Sequence, residues 1–181
     1  MLLVCVRHLP TEWNARELLQ GQRDIDLIEP DAAALEGVER NKRRLLEYGR
    51  FDRVFTSRLR RTQRTAELHG YVEFTVEPLL DELAFGDWEG KSREEFGEEF
   101  GDRWRDDPRD LVLGESLEHL HGRIGRFLAK YASCGQALVF GHGSWLRALR
   151  SIMKHGDVRA MNKGWIDNNE ILEFSLPGQG R

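Results

Sequence analysis

Residues 2–8, Leu2-Leu3-Val4-Cys5-Val6-Arg7-His8, begin with five apolar residues in a row and end in two basic ones. An apolar run without polar alternation is typical of a strand buried on both faces of a parallel sheet. In open α/β sheets, ligands bind outside the carboxyl ends of the strands. The stretch therefore predicts an α/β protein whose site includes Arg7 and His8.

Strands and helices are predicted to alternate along the rest of the chain. Short apolar runs predict strands over residues 52–57, 73–77, 136–140 and 170–174. Helical spacing of apolar residues predicts helices over 31–48, 59–69, 115–132 and 144–153. The first of these helices should bury one face, made of Leu35, Val38, Leu45 and Leu46. This order favours a doubly wound α/β fold, a three-layer α/β/α sandwich with a mostly parallel sheet.

Residues 81–113 are charged and aromatic, and their periodicity is poor. We expect a small excursion of short helices here, which covers the site at one edge of the sheet. Five residues are candidates for lining the pocket. Trp88, Arg103 and Trp104 lie in this segment, whereas Trp13 lies before it and Trp165 after it.

Length and composition exclude several classes of protein. The 181 residues fit a single domain, 1–181, since domains run to roughly 100–200 residues. Lys and Arg number 27 and Asp and Glu 31, a net charge of −4 that argues against a nucleic-acid partner. The apolar runs are too short to cross a membrane, and nothing basic precedes the first one, so we expect a cytoplasmic protein. Cys5 and Cys134 are predicted to be reduced core residues.

Four predicted strand ends carry polar groups that would meet at one edge of the sheet. They are Arg7-His8, Arg58 to Arg61 after the second strand, Asp81-Glu82 after the third, and Gly141-His142-Gly143 after the fourth. Arginines bind phosphate oxygens, and a helix beginning at Gly143 offers free backbone N–H groups to an anion. An imidazole can attack phosphorus while a carboxylate protonates the leaving oxygen. The set predicts phosphoryl transfer through a phosphohistidine, without a metal or other cofactor.

The same residues resemble the motifs of the histidine phosphatase superfamily, also called phosphoglycerate mutase-like. Residues 7–14 resemble its opening Arg-His-Gly-Glu-Thr-x-Trp-Asn motif, with Leu9 and Pro10 in place of the glycine and glutamate. Residues 56–66 resemble its Ser-x-Leu-x-Arg-Ala-x-x-Thr-Ala block, residues 80–90 the segment that carries its acid, and residues 141–147 its final His-Gly block. The resemblance extends from Leu3 to about Glu173.

This resemblance implies a role for each matching position. His8 is the nucleophile, and Glu82 is the general acid and then the base that activates water. Arg7, Arg61 and His142 hold the phosphoryl oxygens. The residues implied to bind phosphate or substrate are Asn14, Gln20, Gly21 and Gly143. Glu115 also matches a family pattern, although it would serve equally as a charge at the start of a helix.

The departure from the motif leaves alternatives open. Leu9 stands where the family has glycine, so either the backbone needs no positive φ there or the pocket has shifted, and Leu9 places an apolar group beside the site. We favour a phosphatase acting on a small phosphorylated metabolite. The alternatives are a phosphoglycerate-type mutase and a catalytically impaired phospho-ligand binding protein. The sequence does not indicate an oligomeric state.

The sequence gives only weak signals for a metal site, an aspartyl nucleophile or a dinucleotide-binding motif. His119 and His121 are two residues apart on a helix, so they face different sides and do not predict a metal pair. Asp24 and Asp26 follow no buried strand, which argues against an aspartyl nucleophile. Gly141-His142-Gly143 is too short for a dinucleotide-binding fingerprint.

Overall fold

A computed structural model describes residues 1–176, so the last five residues of the predicted domain 1–181 lie outside it. The strands are β1 (Leu2–Arg7), β2 (Arg53–Thr56), β3 (Thr75–Val76), β4 (Gln136–Gly141) and β5 (Ile171–Ser175). The helices are α1 (Glu12–Ala15), α2 (Ala32–Glu47), α3 (Arg60–Leu68), α4 (Arg93–Asp106), α5 (Leu117–Lys130) and α6 (Gly143–His155). Two 3₁₀ turns, Pro78–Leu80 and Gly86–Trp88, stand between β3 and α4.

The sheet has the strand order β3-β2-β4-β1-β5. β1 pairs in parallel with β4, β4 with β2, and β2 with β3, whereas β5 runs antiparallel to β1 at one edge. The predicted α/β class with a mostly parallel sheet is confirmed. The carboxyl ends of β1, β2 and β4 therefore lie side by side.

Apolar residues of β1 alternate between two core clusters, one on each face of the sheet. Leu3 and Cys5 belong to the cluster that also holds residues of α5 and α6. Val4 and Val6 belong to the cluster that contains Leu45 of α2 and Ala66 of α3. Burial on both faces explains why the β1 sequence shows no polar alternation. No helix among the described residues is long and apolar enough to cross a membrane.

Several local predictions were wrong. In α2, Val38 and Leu45 are buried, but Leu35 is 44% exposed and Leu46 is 74% exposed. Successive helical residues point about 100° apart, so Leu46 turns away from the face of Leu45. The strand predicted over 73–77 is reduced to the two exposed residues of β3, as suits the edge of a sheet.

The segment over 81–113 contains short helical pieces, as its sequence predicts. They are the 3₁₀ turn Gly86–Trp88 and the two parts of α4, which begins with a capping box between Ser92 and Glu95. Gly101, at φ 37° and ψ −118°, interrupts the helical backbone. Aromatic side chains hold the segment together and pack on the core cluster of α5 and α6: Phe85, Trp88, Phe96, Phe100 and Trp104.

The two cysteines differ in their surroundings. Both are free thiols, as predicted. Cys5 is fully buried in β1, and burial raises the pKa of its thiol. Cys134 is only partly buried, so the prediction that it is a core residue was wrong.

Candidate active site

Strand register brings the two histidines together. Arg7 is paired with Gly141 across β1 and β4, so the residues that follow, His8 and His142, leave the sheet side by side. Their ring centroids are 5.4 Å apart with an interplanar angle of 62°. Both side chains are buried, and His8 lines a cavity of about 150 Å³.

Hydrogen bonding fixes the tautomer of His8. Its Nδ1–H donates to the carbonyl oxygen of Leu9 at 2.6 Å, because a carbonyl can only accept. Nε2 therefore carries the lone pair, and within residues 1–176 it forms no hydrogen bond. Burial, followed by the positive charges of Arg61 and Arg7, holds the pKa of His8 well below its ordinary value. The ring is thus a neutral imidazole with Nε2 available as a nucleophile.

Leu9 fits this backbone without strain. The residues with positive φ other than glycine are Glu17 and Asn169, so position 9 does not need the conformational freedom of glycine. Leu9 is 2% exposed, and its backbone N–H donates to Thr65 Oγ1 at 3.0 Å. Its side chain lies in the interior and is outside the cavity lining, so the expected apolar group beside the site is absent from the described pocket wall.

Arg61 and His142 form one hydrogen-bonded unit. Arg61 Nε donates to His142 Nδ1 at 3.2 Å, and His142 Nε2–H donates to Ser57 Oγ at 2.8 Å. Burial and the charge of Arg61 hold the pKa of His142 well below its usual range. Both ring nitrogens are engaged by protein groups, so His142 orients Arg61. Its direct contact with a phosphoryl oxygen stays a prediction.

Arg61 also ties the loop between α1 and α2 to the site. It is fully buried, and its two terminal nitrogens donate to the carbonyl oxygens of Arg23 at 2.8 Å and Gly21 at 2.7 Å. Arg58 and Arg60 instead form ion pairs away from the cavity, with Asp81 and Asp24 respectively. Of the predicted arginines after β2, it is Arg61 that lines the cavity.

Arg7 is held at the end of β1 with part of its guanidinium uncommitted. Nη1 donates to the carbonyl of Ile166, while Nε is buried and has no hydrogen-bond partner within residues 1–176. Burial lowers the pKa of Arg7 to about 10, against the opposing charge of Glu82. A Cβ on Gly143 would lie 3.3 Å from Arg7 Nε, so glycine at 143 leaves space for this guanidinium.

Glu82 lines the cavity and caps the start of α6. Its Oε2 accepts the backbone N–H of Ser144 at 2.9 Å, and its Oε1 accepts those of Trp145 at 3.0 Å and Leu83 at 2.9 Å. The expectation of free N–H groups at this helix start was therefore wrong for Ser144 and Trp145. The carboxylate accepts hydrogen bonds from these donors, and its negative charge is favourable at the positive end of the helix dipole. A bound anion would act in the same way.

The remaining predicted substrate residues also line the cavity, namely Asn14, Gln20, Gly21 and Gly143. Asn14 Oδ1 accepts the N–H of Thr11 at 3.1 Å, which leaves the Nδ2 donor for a ligand. Gln20 is buried with Oε1 unpaired within residues 1–176. Eight of the nine predicted site residues line the cavity, whereas His142 does not and contacts Arg61 beside it. The contacts of all nine with substrate stay predictions.

Sequence reasoning was less successful for the outer wall of the cavity. Of the five candidate lining residues, Trp104 and Trp165 contribute and Trp13, Trp88 and Arg103 do not. Arg93, Phe96 and Arg147 line the cavity but were not predicted to. Arg147 lies four residues after Gly143, a helical spacing that could have indicated it. Arg93 and Phe96 lie in the segment of poor periodicity, which gives no such signal.

Glu115 supports the site from outside. It precedes Ser116, the N-cap of α5, and its carboxylate pairs with Arg123 at 2.7 Å and accepts the N–H of Ala84 at 3.1 Å. Arg123 in turn donates to the carbonyl of Glu82 at 3.1 Å. This buried pair fixes the backbone that carries Glu82.

His119 contacts Glu115 on the surface at 2.7 Å. Within the described residues no group of three or more His, Cys, Asp or Glu side chains could hold a metal ion.

Comparison with known proteins identifies the family. The profile of the histidine phosphatase superfamily (branch 1) matches residues 3–181. The chain belongs to the histidine phosphatase superfamily.

Two curated relatives are named 2,3-bisphosphoglycerate-dependent phosphoglycerate mutase. The protein from Methylobacterium radiotolerans is 37% identical over 169 residues, 84% of this chain and 78% of that protein. The one from Rhizobium meliloti is 33% identical over 171 residues, 83% of this chain and 78% of that protein.

Solved structures of phosphatases share this histidine phosphatase fold. A putative α-ribazole-5′-P phosphatase from Escherichia coli superposes with a TM-score of 0.77 at 26% identity, over 98% of this chain and 91% of that one. A mycobacterial glucosyl-3-phosphoglycerate phosphatase superposes with a TM-score of 0.77 at 22% identity, over 96% of this chain and 92% of that one. The second likeness concerns the fold alone.

Proposed function

We propose that this protein is a metal-independent phosphomonoester hydrolase that acts on a small phosphorylated metabolite through a phosphohistidine at His8. The observation that carries the proposal is the fixed tautomer of His8, whose Nδ1–H is held by the Leu9 carbonyl while the ring lines the cavity. A neutral imidazole with a free Nε2 is the form that can attack phosphorus.

The proposed reaction has two steps. His8 Nε2 forms a bond to phosphorus as the ester oxygen leaves, and protonated Glu82 gives its proton to that oxygen. Glu82 then takes a proton from water, whose oxygen attacks the phosphohistidine and displaces Nε2. Arg7 and Arg61 offset the charge on the transferring phosphoryl group, which supports chemistry without a divalent ion.

The size of the cavity supports a compact substrate. At about 150 Å³ it is smaller than the roughly 300–1,000 Å³ typical of pockets for drug-sized ligands. Its wall combines arginines with the aromatic rings of Phe85, Phe96 and Trp104. A phosphate and a few further heavy atoms fit such a space.

A phosphoglycerate-type mutase is the second candidate, because the curated relatives at 33–37% identity carry that name. The two functions differ in the fate of the phosphoryl group. A hydrolase passes it to water, whereas a mutase returns it to the substrate skeleton.

Product analysis separates the two candidates. The protein is incubated with 3-phosphoglycerate, with and without 2,3-bisphosphoglycerate, and with a panel of sugar phosphates and other metabolite esters. We expect inorganic phosphate to be released from at least one ester without any bisphosphate. Formation of 2-phosphoglycerate that depends on the bisphosphate, with negligible phosphate release from every ester, would contradict the hydrolase.

A further inference from the structure

One peptide group in the loop between α1 and α2 links Arg61 to a carboxylate on the opposite side of that loop. The carbonyl oxygen of Gly21 accepts Arg61 Nη2 at 2.7 Å. The N–H of the same peptide group belongs to Gln22, and it donates to Glu89 Oε1 at 3.0 Å. Because a peptide group is planar, a hydrogen bond that fixes its N–H also fixes the direction of its carbonyl oxygen. Glu89 and Arg61 are therefore joined through one rigid unit.

Glu89 lies where it can hold this peptide group but does not contact the cavity. It directly follows the 3₁₀ turn Gly86–Trp88, it is not part of the cavity lining, and its side chain is only 9% exposed. Its Oε1 also accepts the backbone N–H of Phe85 at 3.2 Å. Its Oε2 lies 3.4 Å from Nε of Arg23, whose side chain is 65% exposed. The carboxylate is thus anchored on the segment that follows Glu82 and bonds across to the loop between α1 and α2.

The backbone at Gly21 allows this contact in two ways. Gly21 has a φ of 50°, in the left-handed region that favours glycine. A Cβ at this position would also overlap the carboxylate of Glu89. Glycine therefore permits both the direction of the peptide group and the close approach of the carboxylate.

Arg61 is a buried cation whose direction is set by its hydrogen bonds. Burial lowers the pKa of Arg61 to about 10, and the negative charges of Glu82 and Glu89 are among those that oppose this. Its Nε donates to His142 and its Nη1 to the carbonyl oxygen of Arg23. Within residues 1–176, one N–H on each terminal nitrogen stays available for a phosphoryl oxygen. Rotation of the peptide group that holds Nη2 would turn these two N–H groups away from their present direction.

We propose that Glu89 is a positioning residue, which orients the Gly21–Gln22 peptide group and thereby directs Arg61 at the phosphoryl group. This inference rests on the proposed function, which assigns Arg61 to the phosphoryl oxygens. The essential property of Glu89 is an acceptor oxygen at the correct distance, since Oε1 alone receives both backbone N–H groups. The negative charge of its side chain is secondary.

Two substitutions separate the acceptor oxygen from the charge. Glu89→Gln keeps the length of the side chain and an oxygen that can accept both N–H groups, whereas Glu89→Asp keeps the charge but withdraws the oxygens by one methylene. The rate of His8 phosphorylation is measured as stopped-flow release of phenol from an aryl phosphate in a single turnover. We expect Glu89→Gln within about threefold of wild type and a loss of roughly tenfold to a hundredfold in Glu89→Asp. A loss in Glu89→Gln equal to or larger than that in Glu89→Asp would overturn the proposal.

A double-mutant cycle tests whether the effect passes through Arg61. Glu89→Asp is combined with Arg61→Ala, and the phosphorylation rates of the four proteins are compared. Once Arg61 is absent, Glu89→Asp should change the rate by less than about threefold. Losses that multiply would indicate general damage to the segment and would overturn the proposal. Glu95→Asp is the matched control, because Glu95 lies in the same segment and accepts the N–H of Ser92 at 2.9 Å, and it should leave both rates unchanged.

Gly21→Ala displaces the same carboxylate from the opposite side, because its Cβ would overlap Glu89. It should show the same loss and the same dependence on Arg61, and it takes the place of Glu89→Asp in the cycle if that variant does not fold. A loss of equal size with and without Arg61 would overturn the proposal.

Vanadate binding keeps this test separate from the proposed function. Calorimetry gives the Kd of inorganic vanadate for the wild-type protein and the same variants without any turnover. A Kd that rises in Glu89→Asp but not in Glu89→Gln, and only while Arg61 is present, would support the positioning role even if no ester were hydrolysed. An unchanged Kd together with normal hydrolysis in Glu89→Asp would overturn the positioning role and leave the proposed hydrolase intact.

Discussion

Glu82 Oε2 accepts the backbone N–H of Ser144 at 2.9 Å, so the proposed proton donor is bound to the first turn of α6. The same helix carries Arg147, and His142 is the N-cap residue that directly precedes the helix. The proposed acid and the residues proposed to bind phosphate are thereby placed relative to one helix.

Replacing Glu82 with glutamine should separate proton transfer from binding. The Glu82→Gln variant has no acidic proton, so turnover of an alkyl phosphate should fall by roughly 10²–10⁴. Its amide NH2 cannot accept a hydrogen bond, so the variant also gives up a backbone N–H contact of the original carboxylate, and its stability is measured alongside the kinetics. An aryl phosphate, whose phenoxide leaves without protonation, should still phosphorylate His8. Because water activation is also lost, a burst of phenol should precede slow phosphate release in stopped-flow measurements.

The Glu82→Gln experiment has a control variant and a result that would contradict the proposed role. Glu77→Gln removes another buried carboxylate, one that caps the 3₁₀ turn Pro78–Leu80 outside the cavity, and should not create a burst. Equal losses for aryl and alkyl esters, without a burst, would mean that Glu82 only caps α6.

Leu9→Gly should cost stability more than activity. Position 9 has no positive φ, so glycine offers no backbone advantage, and the substitution removes a buried side chain. Leu-to-Ala changes in cores typically cost about 2–5 kcal/mol in the free energy of unfolding, and glycine should cost at least as much. Urea denaturation and kcat/KM would be measured together, with kcat/KM expected within about tenfold of wild type. An increase of several orders of magnitude would instead identify the natural protein as an impaired enzyme.

The pH dependence should reflect the lowered pKa of His8. Burial and the adjacent arginines keep the ring neutral in the folded protein as pH falls through about 6.5, the ordinary histidine value. The rate of phosphorylation by an aryl phosphate should therefore show no loss centred near pH 6.5. A tenfold loss per pH unit beginning there would contradict the lowered pKa.

The same shift affects stability with a defined sign. Below about pH 6.5 the unfolded chain binds a proton at this position and the folded protein does not, so the free energy of unfolding falls as pH decreases toward the folded pKa. His8→Gln should weaken this dependence in urea titrations between pH 7 and 5. His142 and His69, whose pKa values are also lowered, should contribute to the part that remains, together with carboxylates of lowered pKa such as Glu115. An unchanged slope in His8→Gln would contradict the assignment.

Charge at the phosphoryl site should come from arginines alone. Chelators should leave turnover nearly unchanged, and vanadate should inhibit as a mimic of the transferring group. Arg7→Ala should reduce kcat by on the order of 10²–10³, the usual loss for one preorganised donor. A requirement for added Mg²⁺ or Zn²⁺ would contradict the metal-free reaction.

Much of the fold and the inner site could be predicted because the signals are local. The apolar run of β1 and the residues that follow it place His8, and the parallel register with β4 places His142 beside it. What could not be predicted depends on packing between distant segments. No local pattern links Glu82 to the amides of α6, and the aromatic excursion gives no period from which Arg93 could be placed on the cavity wall.

The most direct test of the account is to trap the phosphoenzyme. The protein is mixed briefly with ³²P-labelled substrate, denatured without acid, and the labelled residue is mapped by mass spectrometry. We predict label on His8 that is stable to alkali and labile to acid, as a phosphorus–nitrogen bond requires, and that is absent from His8→Ala. Stoichiometric label retained in His8→Ala, or label on another residue of the wild-type protein, would contradict the central claim.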